Sequence, residues 1–396
     1  MNQLLSIIHL ENLKKVNKGW LGFWFLILLV GLYAAGYAIF AGHEKAYNLT
    51  NKVPLCLLLA TYVFWVVTST GLCLVSAIGH VFGNEKMLIF AKRSIFMAIV
   101  CLILGFLTIA IELEHPFRLF TWGIISPNLE SPILWMGILY SFYLVFMILE
   151  FIFLEMNNHK RAHLFGLLGV ISAVAAHSNL GAVFGYQLAR PFWHGAFMPV
   201  YFILSAMMSG AALIMILYLA PKFMRREKFT NEEIESINTL AKIFLLLILI
   251  YIFFESWKIL VGIYGKPPHE YEAIMAFITG PYKLNFWVFE VFLAVIVPLV
   301  ILLFPALRSL KNYLIAGISC IIGIFILRYD LVIGGQIVPL RYPEIPVTSY
   351  RFEYALNPYT PSIYEILIVI GTFALGVIIY TIGYHVLDFK WHEETE

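Results

Sequence analysis

Charged residues are scarce in this sequence. Of its 396 residues, 13% are charged and 61% are hydrophobic, whereas a soluble domain averages about 25% charged and about 45–50% apolar residues. A water-soluble core cannot hide that much apolar surface, so we predict an integral membrane protein. The formal net charge is only +2. Because nucleic-acid binding needs a basic excess, nucleic acid is not expected as a partner, whereas membrane lipid is.

Cysteine is also rare, and no two cysteines stand in a CxxC spacing. The four that occur lie singly within apolar runs: Cys56, Cys73, Cys101 and Cys320. Structural zinc sites and iron–sulfur clusters take several closely spaced cysteine ligands, so we predict no metal site and no iron–sulfur cluster in this chain. Single buried cysteines normally behave as small hydrophobic side chains.

Long polar segments are missing as well. A helix needs about 20 apolar residues to cross a hydrocarbon core about 30 Å thick. Ten stretches qualify: 19–40, 54–81, 93–113, 132–154, 163–186, 196–219, 238–257, 285–304, 312–329 and 362–386. The connectors are short apart from 221–237, 265–284 and 330–361, and none could hold a soluble domain. We therefore predict an all-α polytopic membrane protein with about ten transmembrane helices, in which residues 1–396 form a single integral membrane domain.

Lys and Arg are unevenly divided between the two sets of connectors. If the N-terminus is inside, most of them fall in the inner connectors, including the clusters at 14–18 and 222–228. Because positively charged loops stay in the cytoplasm, both termini are expected to be cytoplasmic, in the inner (cytoplasmic) membrane. The run 19–40 is too long for a signal peptide and lacks a small-residue cleavage site, so we expect it to remain as a span. The 330–361 connector is expected to form an outer cap.

An internal repeat relates the second and sixth predicted helices. YVFWVVTSTGLCL begins at Tyr62 and YFILSAMMSGAAL begins at Tyr201, and each places a glycine nine residues later, Gly71 and Gly210. Small residues of this kind allow close helix packing. We predict two four-helix bundles, helices 2–5 (54–186) and helices 6–9 (196–329), related about the membrane normal. A flanking helix stands at each end, 19–40 and 362–386.

Ionisable residues crowd toward the predicted outer ends of the helices. An ionisable side chain at membrane depth is costly and is therefore a functional candidate, although some of these residues would serve only the interface or pair structurally. The candidates are Glu112, Glu114, His115, His177, Glu255, Glu290, Arg328, Asp330 and Glu365. Glu150, near the inner end of helix 4, is an exception, as are His80 and Lys242. Glu150, Glu290 and Lys242 belong either to an inward proton path or to separate structural pairs.

His177 is the most informative of these residues. It begins the segment HSNLGAVFGYQLARPFW, 177–193, and lies about 13 Å below Tyr186 if the helix is straight. Three interpretations are open: a buried histidine bonded to a neighbouring helix, a group that handles protons or a ligand near neutral pH, or a haem ligand. On a straight helix Tyr186 would face away from His177. The two could contact one ligand only if the helix broke near Gly181 or Gly185.

Four segments of the sequence resemble the NrfD/PsrC family, the integral membrane subunits of quinone-linked respiratory complexes. They are STGLCLVSAIGHVFG, IELEHPFR through SPILW, RPFWHGAFMPVYFILSAMMSGAAL, and GGQIVP followed by NPYTPSIYE. Together they extend over nearly the whole chain. The ten predicted spans are similar to the longer branch of the family, which includes HybB, DsrP and ActC.

The resemblance implies a site for menaquinone or another quinone, near the outer surface of the first bundle. The positions that match the family's acidic residue and tyrosine are His177 and Tyr186, and the polar residue of the first bundle helix matches Tyr62 or its neighbour Thr61. His177 departs from the acidic pattern. The resemblance therefore leaves the proton acceptor open between His177 and Glu112.

Other residues would complete such a site. Asn179 would add a hydrogen-bonding group and Trp65 an apolar wall, while Glu114 and His115 would pass protons outward. The resemblance also implies an extracytoplasmic ferredoxin-like iron–sulfur subunit as a partner, together with further redox subunits of the same complex. On this interpretation the chain is the membrane anchor and quinone-reactive subunit of an oxidoreductase. It would hold no haem, and its coupling to proton translocation stays open.

Two other functions fit some of the residues. A b-type cytochrome needs two histidines on facing helices at one depth, and His80 and His163 both lie at the inner end of the first bundle. A secondary transporter without a redox role would have broken helices and polar sites at mid-membrane. This sequence instead concentrates its charges near one face.

Overall fold

The computed structural model describes residues 10–340 and 356–391. Ten helices in these ranges are long and apolar enough to cross a membrane, and the predicted all-α polytopic fold is confirmed. They are α1 (Lys18–Ala41), α2 (Leu57–His80), α3 (Ala91–Glu112), α4 (Pro132–Glu155), α5 (His159–Gly185), α6 (Phe197–Arg225), α7 (Asn231–Gly265), α8 (Asn285–Leu303), α9 (Leu310–Ile337) and α10 (Ile363–Val386). A 3-10 turn, Glu85–Phe90, leads directly into α3, and α8 is π-helical over Asn285–Ile296.

Two of the predicted connectors are largely helical. The 221–237 connector contains the end of α6 at Arg225 and the start of α7 at Asn231, where Thr230 and Glu233 form a capping box. Reciprocal side-chain caps satisfy the free N–H groups of a helix start. The 265–284 connector contains a short helix, Glu270–Ile278. These residues were predicted to be connectors because they are polar. The helices nevertheless extend beyond the apolar runs, and the capping box stabilises the start of α7 within the polar segment.

The prediction that α9 ends at residue 329 is wrong, because the helix continues to Ile337. Gly334 and Gly335 lie within this helix and leave room for aromatic rings, which occupy the space that side chains would need. A Cβ built on Gly335 would lie 2.0 Å from Trp193 Cε2, and one on Gly334 would lie 2.6 Å from Phe192 Cε1. Residues 330–337 of the predicted outer cap are therefore helix, and residues 341–355 lie outside the described ranges.

The helices of each predicted bundle pack as neighbours in a ring. Helix α2 contacts α3 and α5, and α4 contacts the same two, so α2 and α4 lie on opposite sides of the set α2–α5. Helices α6, α7, α8 and α9 are arranged in the same way. Helix α2 also packs along much of α6, so the two sets share a broad interface. The division into two separate bundles stays a prediction.

The helix ends form two faces. We call one the Glu365 face, where the buried carboxylate of Glu365 accepts hydrogen bonds from the backbone N–H groups of Asn48, at 3.0 Å, and Leu57, at 3.2 Å. The other is the Lys92 face, where the Lys92 ammonium lies 3.8 Å from the Glu155 carboxylate. All helix ends that were predicted to lie on the same side of the membrane are found at the same face of the structure. Which face is outside stays a prediction.

Candidate functional site

His177 lies in the interior of the α2–α5 set, on α5, with no exposed surface. Its Nδ1 is 3.2 Å from the Tyr140 hydroxyl of α4. Its Nε2 is buried and has no hydrogen-bond partner among the described residues. A buried polar atom without a partner costs about 1–3 kcal/mol. This nitrogen therefore fits a site that is completed by a ligand atom or a water.

An aromatic wall stands beside the imidazole. The Phe202 ring of α6 lies 5.9 Å from the His177 ring, measured between centroids, and Phe184 stacks on Phe202 at 5.6 Å. Trp193 meets Phe184 edge to face at 5.3 Å. Flat apolar surfaces next to one polar group are typical of sites for aromatic ligands.

Tyr62 approaches the same region from α2. It is 3% exposed, and its hydroxyl is 3.6 Å from the Met136 sulfur of α4. Met136 and Tyr140 are four residues apart, so they lie on one side of α4. The structure thus brings together side chains from three helices, Tyr62, Tyr140 and His177.

Sequence reasoning missed Tyr140. Its signal was the spacing of the buried face of α4, which consists of Tyr140, Tyr143, Met147, Glu150 and Leu154. Alternating steps of three and four residues mark one face of a helix. Because α4 is apolar on every side, composition alone did not separate Tyr140 from its lipid-facing neighbours.

Three other predicted quinone-binding residues lie elsewhere. Tyr186 follows the last residue of α5 and is 64% exposed. The Asn179 amide donates to the Pro132 carbonyl at 2.8 Å, which fastens α5 to the start of α4. The Trp65 indole donates to Thr372 Oγ1 of α10 at 3.2 Å. None of these contacts joins them to His177, and their roles stay predictions.

Glu112 belongs to a different cluster, at the Glu365 face. Cys56 donates to its Oε1 at 3.4 Å, and the Tyr47 hydroxyl donates to the neighbouring Ile111 carbonyl at 3.1 Å. Burial, followed by the nearby Glu112, raises the pKa of the Cys56 thiol well above its usual value. Glu112 ends α3, whereas His177 lies eight residues, or about 12 Å, before the end of α5. The structure shows no hydrogen bond or ion pair between them.

Two further predicted proton-path residues stand in the connector after α3. Glu114 and His115 are both exposed. Burial lowers the pKa of the His43 imidazole, and the nearby carboxylate of Glu114 opposes this shift with a smaller effect. Both residues lie on the same face as Glu112, as their predicted role requires, and that role stays a prediction.

Glu255 and Glu290 meet in the α6–α9 set around a cavity of about 40 Å³. Lys258 lies 3.6 Å from Glu255, and Glu290 and Asp330 line the same cavity. A cavity of this size holds a few water molecules, so it is too small for a quinone ring. Arg328 borders this group, and its guanidinium carbon is 5.3 Å from the centre of the Phe202 ring. Phe202 thus contacts Arg328 as well as His177.

Glu150 is fully buried on α4 and is paired with His80 Nε2. The other His80 ring nitrogen, Nδ1, is 3.1 Å from the Ser76 carbonyl. Both nitrogens of His80 are therefore engaged, which leaves none for a haem iron in this arrangement. His163 lines the same pocket at the Lys92 face but is exposed. Within residues 10–340 and 356–391, no cluster of three or more His, Cys, Asp or Glu side chains is arranged to hold a metal ion.

Known proteins resemble the chain along most of its length. The integral membrane subunit of the Hdr-like menaquinol oxidoreductase of Archaeoglobus fulgidus is 30% identical, covering 91% of this chain and 92% of that protein. A selenate reductase subunit of Mesobacillus selenatarsenatis is 24% identical over 90% of each chain. The integral membrane subunit of menaquinone reductase of Nitratidesulfovibrio vulgaris is 21% identical over 81% of this chain and 82% of that protein. A family model described as polysulphide reductase, NrfD, matches residues 45–339. The chain belongs to the NrfD family.

Proposed function

We propose that this chain is the quinone-reactive membrane subunit of a multi-subunit oxidoreductase, with its quinone site at Tyr62, Tyr140 and His177. One observation carries the site: a fully buried imidazole whose Nδ1 contacts Tyr140 and whose Nε2 is left without a partner among the described residues. Two relatives that extend over most of the chain are named for menaquinol or menaquinone. Menaquinone is accordingly the proposed quinone.

The residues present fit a quinone ring. If the Tyr140 hydroxyl donates to Nδ1, the imidazole proton lies on Nε2, and that nitrogen can donate to a ligand carbonyl. Tyr62 offers a second donor, since its hydroxyl contacts a thioether sulfur, which is a weak acceptor. Phe184 and Phe202 supply the flat apolar wall. When bound, quinone supplies two-electron and two-proton chemistry; His177 and Tyr140 hold and move a proton at its oxygen.

The Glu365 face is the proposed docking surface for the partner. We expect a ferredoxin-like iron–sulfur subunit to bind there, outside the cytoplasm, because His177 lies about 12 Å below the end of α5 at this face. Further redox subunits would bind that partner. In this arrangement both termini of the chain are cytoplasmic, in the inner membrane.

Titration with menadione, the ring of menaquinone without its isoprenoid tail, tests the site. Bound ligand stabilises the folded protein by mass action, so menadione should raise the Tm of the purified complex and quench its tryptophan fluorescence. His177→Ala should weaken binding by roughly tenfold or more, because a buried hydrogen bond to a ligand is worth about 1.5 kcal/mol. Tyr264→Phe is the matched control, since Tyr264 is 82% exposed.

Three results would overturn the proposal. If His177→Ala bound menadione with unchanged affinity, the assignment of the quinone site to His177 would be wrong. If the effect of menadione on Tm and fluorescence were lost in Glu290→Gln but kept in Tyr62→Phe, the quinone ring would bind in the α6–α9 set instead. Mass spectrometry of the complex purified from its native membrane should find iron–sulfur subunits, and their absence would contradict the partner.

A further inference from the structure

Polar side chains continue from the proposed quinone site to the Lys92 face through the centre of the α2–α5 set. On α2 they share one side of the helix: Tyr62, Ser69, Cys73, Ser76 and His80. Their steps are seven, four, three and four residues, which is the spacing of one helix face. Eighteen residues of helix extend about 27 Å, nearly the thickness of a hydrocarbon core.

Helix α4 presents a matching face from the opposite side of the set. Its fully buried side chains include Tyr140, Tyr143 and Glu150, while most of its other positions are exposed or half-buried. Membrane helices associate through small residues and interhelical hydrogen bonds, so packing alone does not require a carboxyl group in this buried face. The buried Glu150 is costly at this depth and is a functional candidate on that ground.

The two faces meet in the middle of the membrane. The Tyr143 hydroxyl donates to the Ser69 carbonyl at 3.1 Å and lies 3.2 Å from Ser69 Oγ. Ser69 Oγ in turn donates to the Ala98 carbonyl at 2.7 Å. The Cys73 thiol lies within electrostatic range of both the Tyr143 hydroxyl and Glu150. These hydroxyl and thiol groups both donate and accept, so they can pass a proton by reorienting.

At the lower end, His80 lies between Glu150 and the Lys92 face. The His80–Glu150 pair fits against Gly166 and Gly169 of α5, since a Cβ on Gly166 would lie 2.9 Å from His80 Nε2 and 3.1 Å from Glu150 Oε1. His80 also lines a pocket of about 300 Å³ at the Lys92 face. Water in that pocket can therefore reach the His80 ring, and the neighbouring Lys92 and Glu155 pair with each other.

At the upper end, Tyr143 is followed by Tyr140, whose ring centroid is 6.4 Å away, and Tyr140 contacts His177 Nδ1 at 3.2 Å. No direct hydrogen bond joins the two tyrosine hydroxyls in this structure. Glu150 Oε2 likewise has no partner among the described atoms. Rotation of a hydroxyl or one bridging water closes each step.

We infer that this polar core, defined as His80, Glu150, Cys73, Tyr143, Ser69 and Tyr140, carries protons between the quinone site and the Lys92 face. The inference rests on the proposed function. Oxidation of one quinol gives one quinone, two electrons and two protons; the electrons go to the iron–sulfur centres of the partner, and at least one proton leaves through the polar core. Quinone reduction reverses each transfer.

The test uses the whole complex in sealed vesicles, with menadiol as electron donor and pH-sensitive dyes on each side. Tyr143→Phe and Glu150→Gln are the test variants. Tyr143→Phe removes one oxygen and keeps the ring, so it preserves packing. Ser141→Ala on α4 is the control, because it removes a hydroxyl from an exposed position. Proton exchange at the Lys92 side should fall by roughly 100-fold in both test variants, since a positioned proton-transfer group contributes about 10²–10⁴.

Menadione binding, followed by fluorescence, is the second measurement. Both variants should bind menadione as the unaltered complex does, because neither Tyr143 nor Glu150 contacts the proposed ring site. Normal proton exchange at the Lys92 side in both variants would overturn the polar core as a route, as would an unaltered complex that exchanges protons only at the Glu365 side. A different result would contradict the proposed quinone site itself: in that case His177→Ala would leave menadione binding unaffected.

Discussion

Gly71 of α2 packs directly against the backbone of α6 at Gly210. A Cβ built on Gly71 would lie 1.8 Å from the Ala206 carbonyl oxygen, and one built on Gly210 would lie 2.1 Å from the Gly71 carbonyl carbon. These are the two glycines that occupy equivalent places in the sequence repeat. The repeat therefore positions the closest approach between the α2–α5 and α6–α9 sets.

Alanine at this contact should destabilise the protein. Gly71→Ala forces a methyl group into backbone atoms that cannot move aside, and overpacking of this kind costs about 1–3 kcal/mol or more. We expect a lower Tm in detergent and reduced assembly of the complex. Gly36→Ala on α1 is the control, because no atom lies within 4 Å of its added Cβ; equal losses in the two variants would contradict the close approach.

Among the side chains of the Glu365 face, Glu365 should contribute most to the stability of the protein. Its carboxylate accepts from the N–H groups of Asn48 and Leu57 and from the Tyr359 hydroxyl, and it is fully buried. Glu365→Ala removes the acceptor of the buried Tyr359 hydroxyl and of the Asn48 N–H, whereas the Leu57 N–H keeps the Tyr359 oxygen as an acceptor. A buried donor left without a partner costs about 1–3 kcal/mol. Thermal unfolding should show a large loss of Tm. Glu114→Ala, at an exposed position, should leave Tm unchanged, and a comparable loss there would refute the assignment.

The sequence was sufficient for the spans but not for the ends of several helices. Apolar runs located all ten because each must match the membrane thickness. The end of α9 was placed at residue 329 because the apolar run is interrupted there by Arg328 and Asp330, whereas the helix continues to Ile337. Gly334 and Gly335 in this last part of the helix pack against the aromatic rings of Phe192 and Trp193. Such packing comes from residues more than 100 positions away, which no local pattern contains.

The candidate site was predicted in part. His177 was identifiable because a histidine within an apolar helix is unusual, whereas Tyr140 was not, because tyrosine is common in membrane helices. Glu112 and His177 were both candidates for the proton acceptor of one site. Their separation follows from where α3 and α5 end, at Glu112 and Gly185, and helix ends are set by capping and packing that the sequence does not state directly.

Orientation can be tested by cysteine labelling in intact cells. Cysteine at Lys52, in the connector between α1 and α2, should react with a membrane-impermeant thiol reagent, because this exposed position lies on the Glu365 face. Cysteine at Lys228, exposed in the connector between α6 and α7, should react only after the cells are permeabilised. The four native cysteines are buried and should give little background. The opposite labelling pattern would invert the proposed topology.

The charged cavity in the α6–α9 set should be separable from quinone binding. Its volume of about 40 Å³ suits waters rather than a ring, so Glu255→Gln should leave menadione affinity unchanged. The same variant weakens the contact with Lys258, 3.6 Å away. It should lower the free energy of unfolding by a few tenths to about 1 kcal/mol, as for a partly exposed ion pair, and Tm should fall modestly. Loss of menadione binding in Glu255→Gln, with assembly intact, would show that the quinone site extends into this set.

His177 and Glu112 should give different kinetic results. His177→Ala removes the nitrogen that faces the proposed ring, so quinone-linked turnover should fall by roughly 100-fold or more while the complex stays assembled with its clusters intact. Glu112→Gln alters a carboxylate that contacts Cys56 at the Glu365 face, so we expect slower turnover with menadione still bound. Because Glu112 is the proposed outward proton relay, its loss should lower the number of protons released per turnover at that face and leave the number exchanged per turnover at the Lys92 face unchanged. Stopped-flow turnover with dyes on both sides of sealed vesicles measures each quantity, and full activity in His177→Ala would disprove the site.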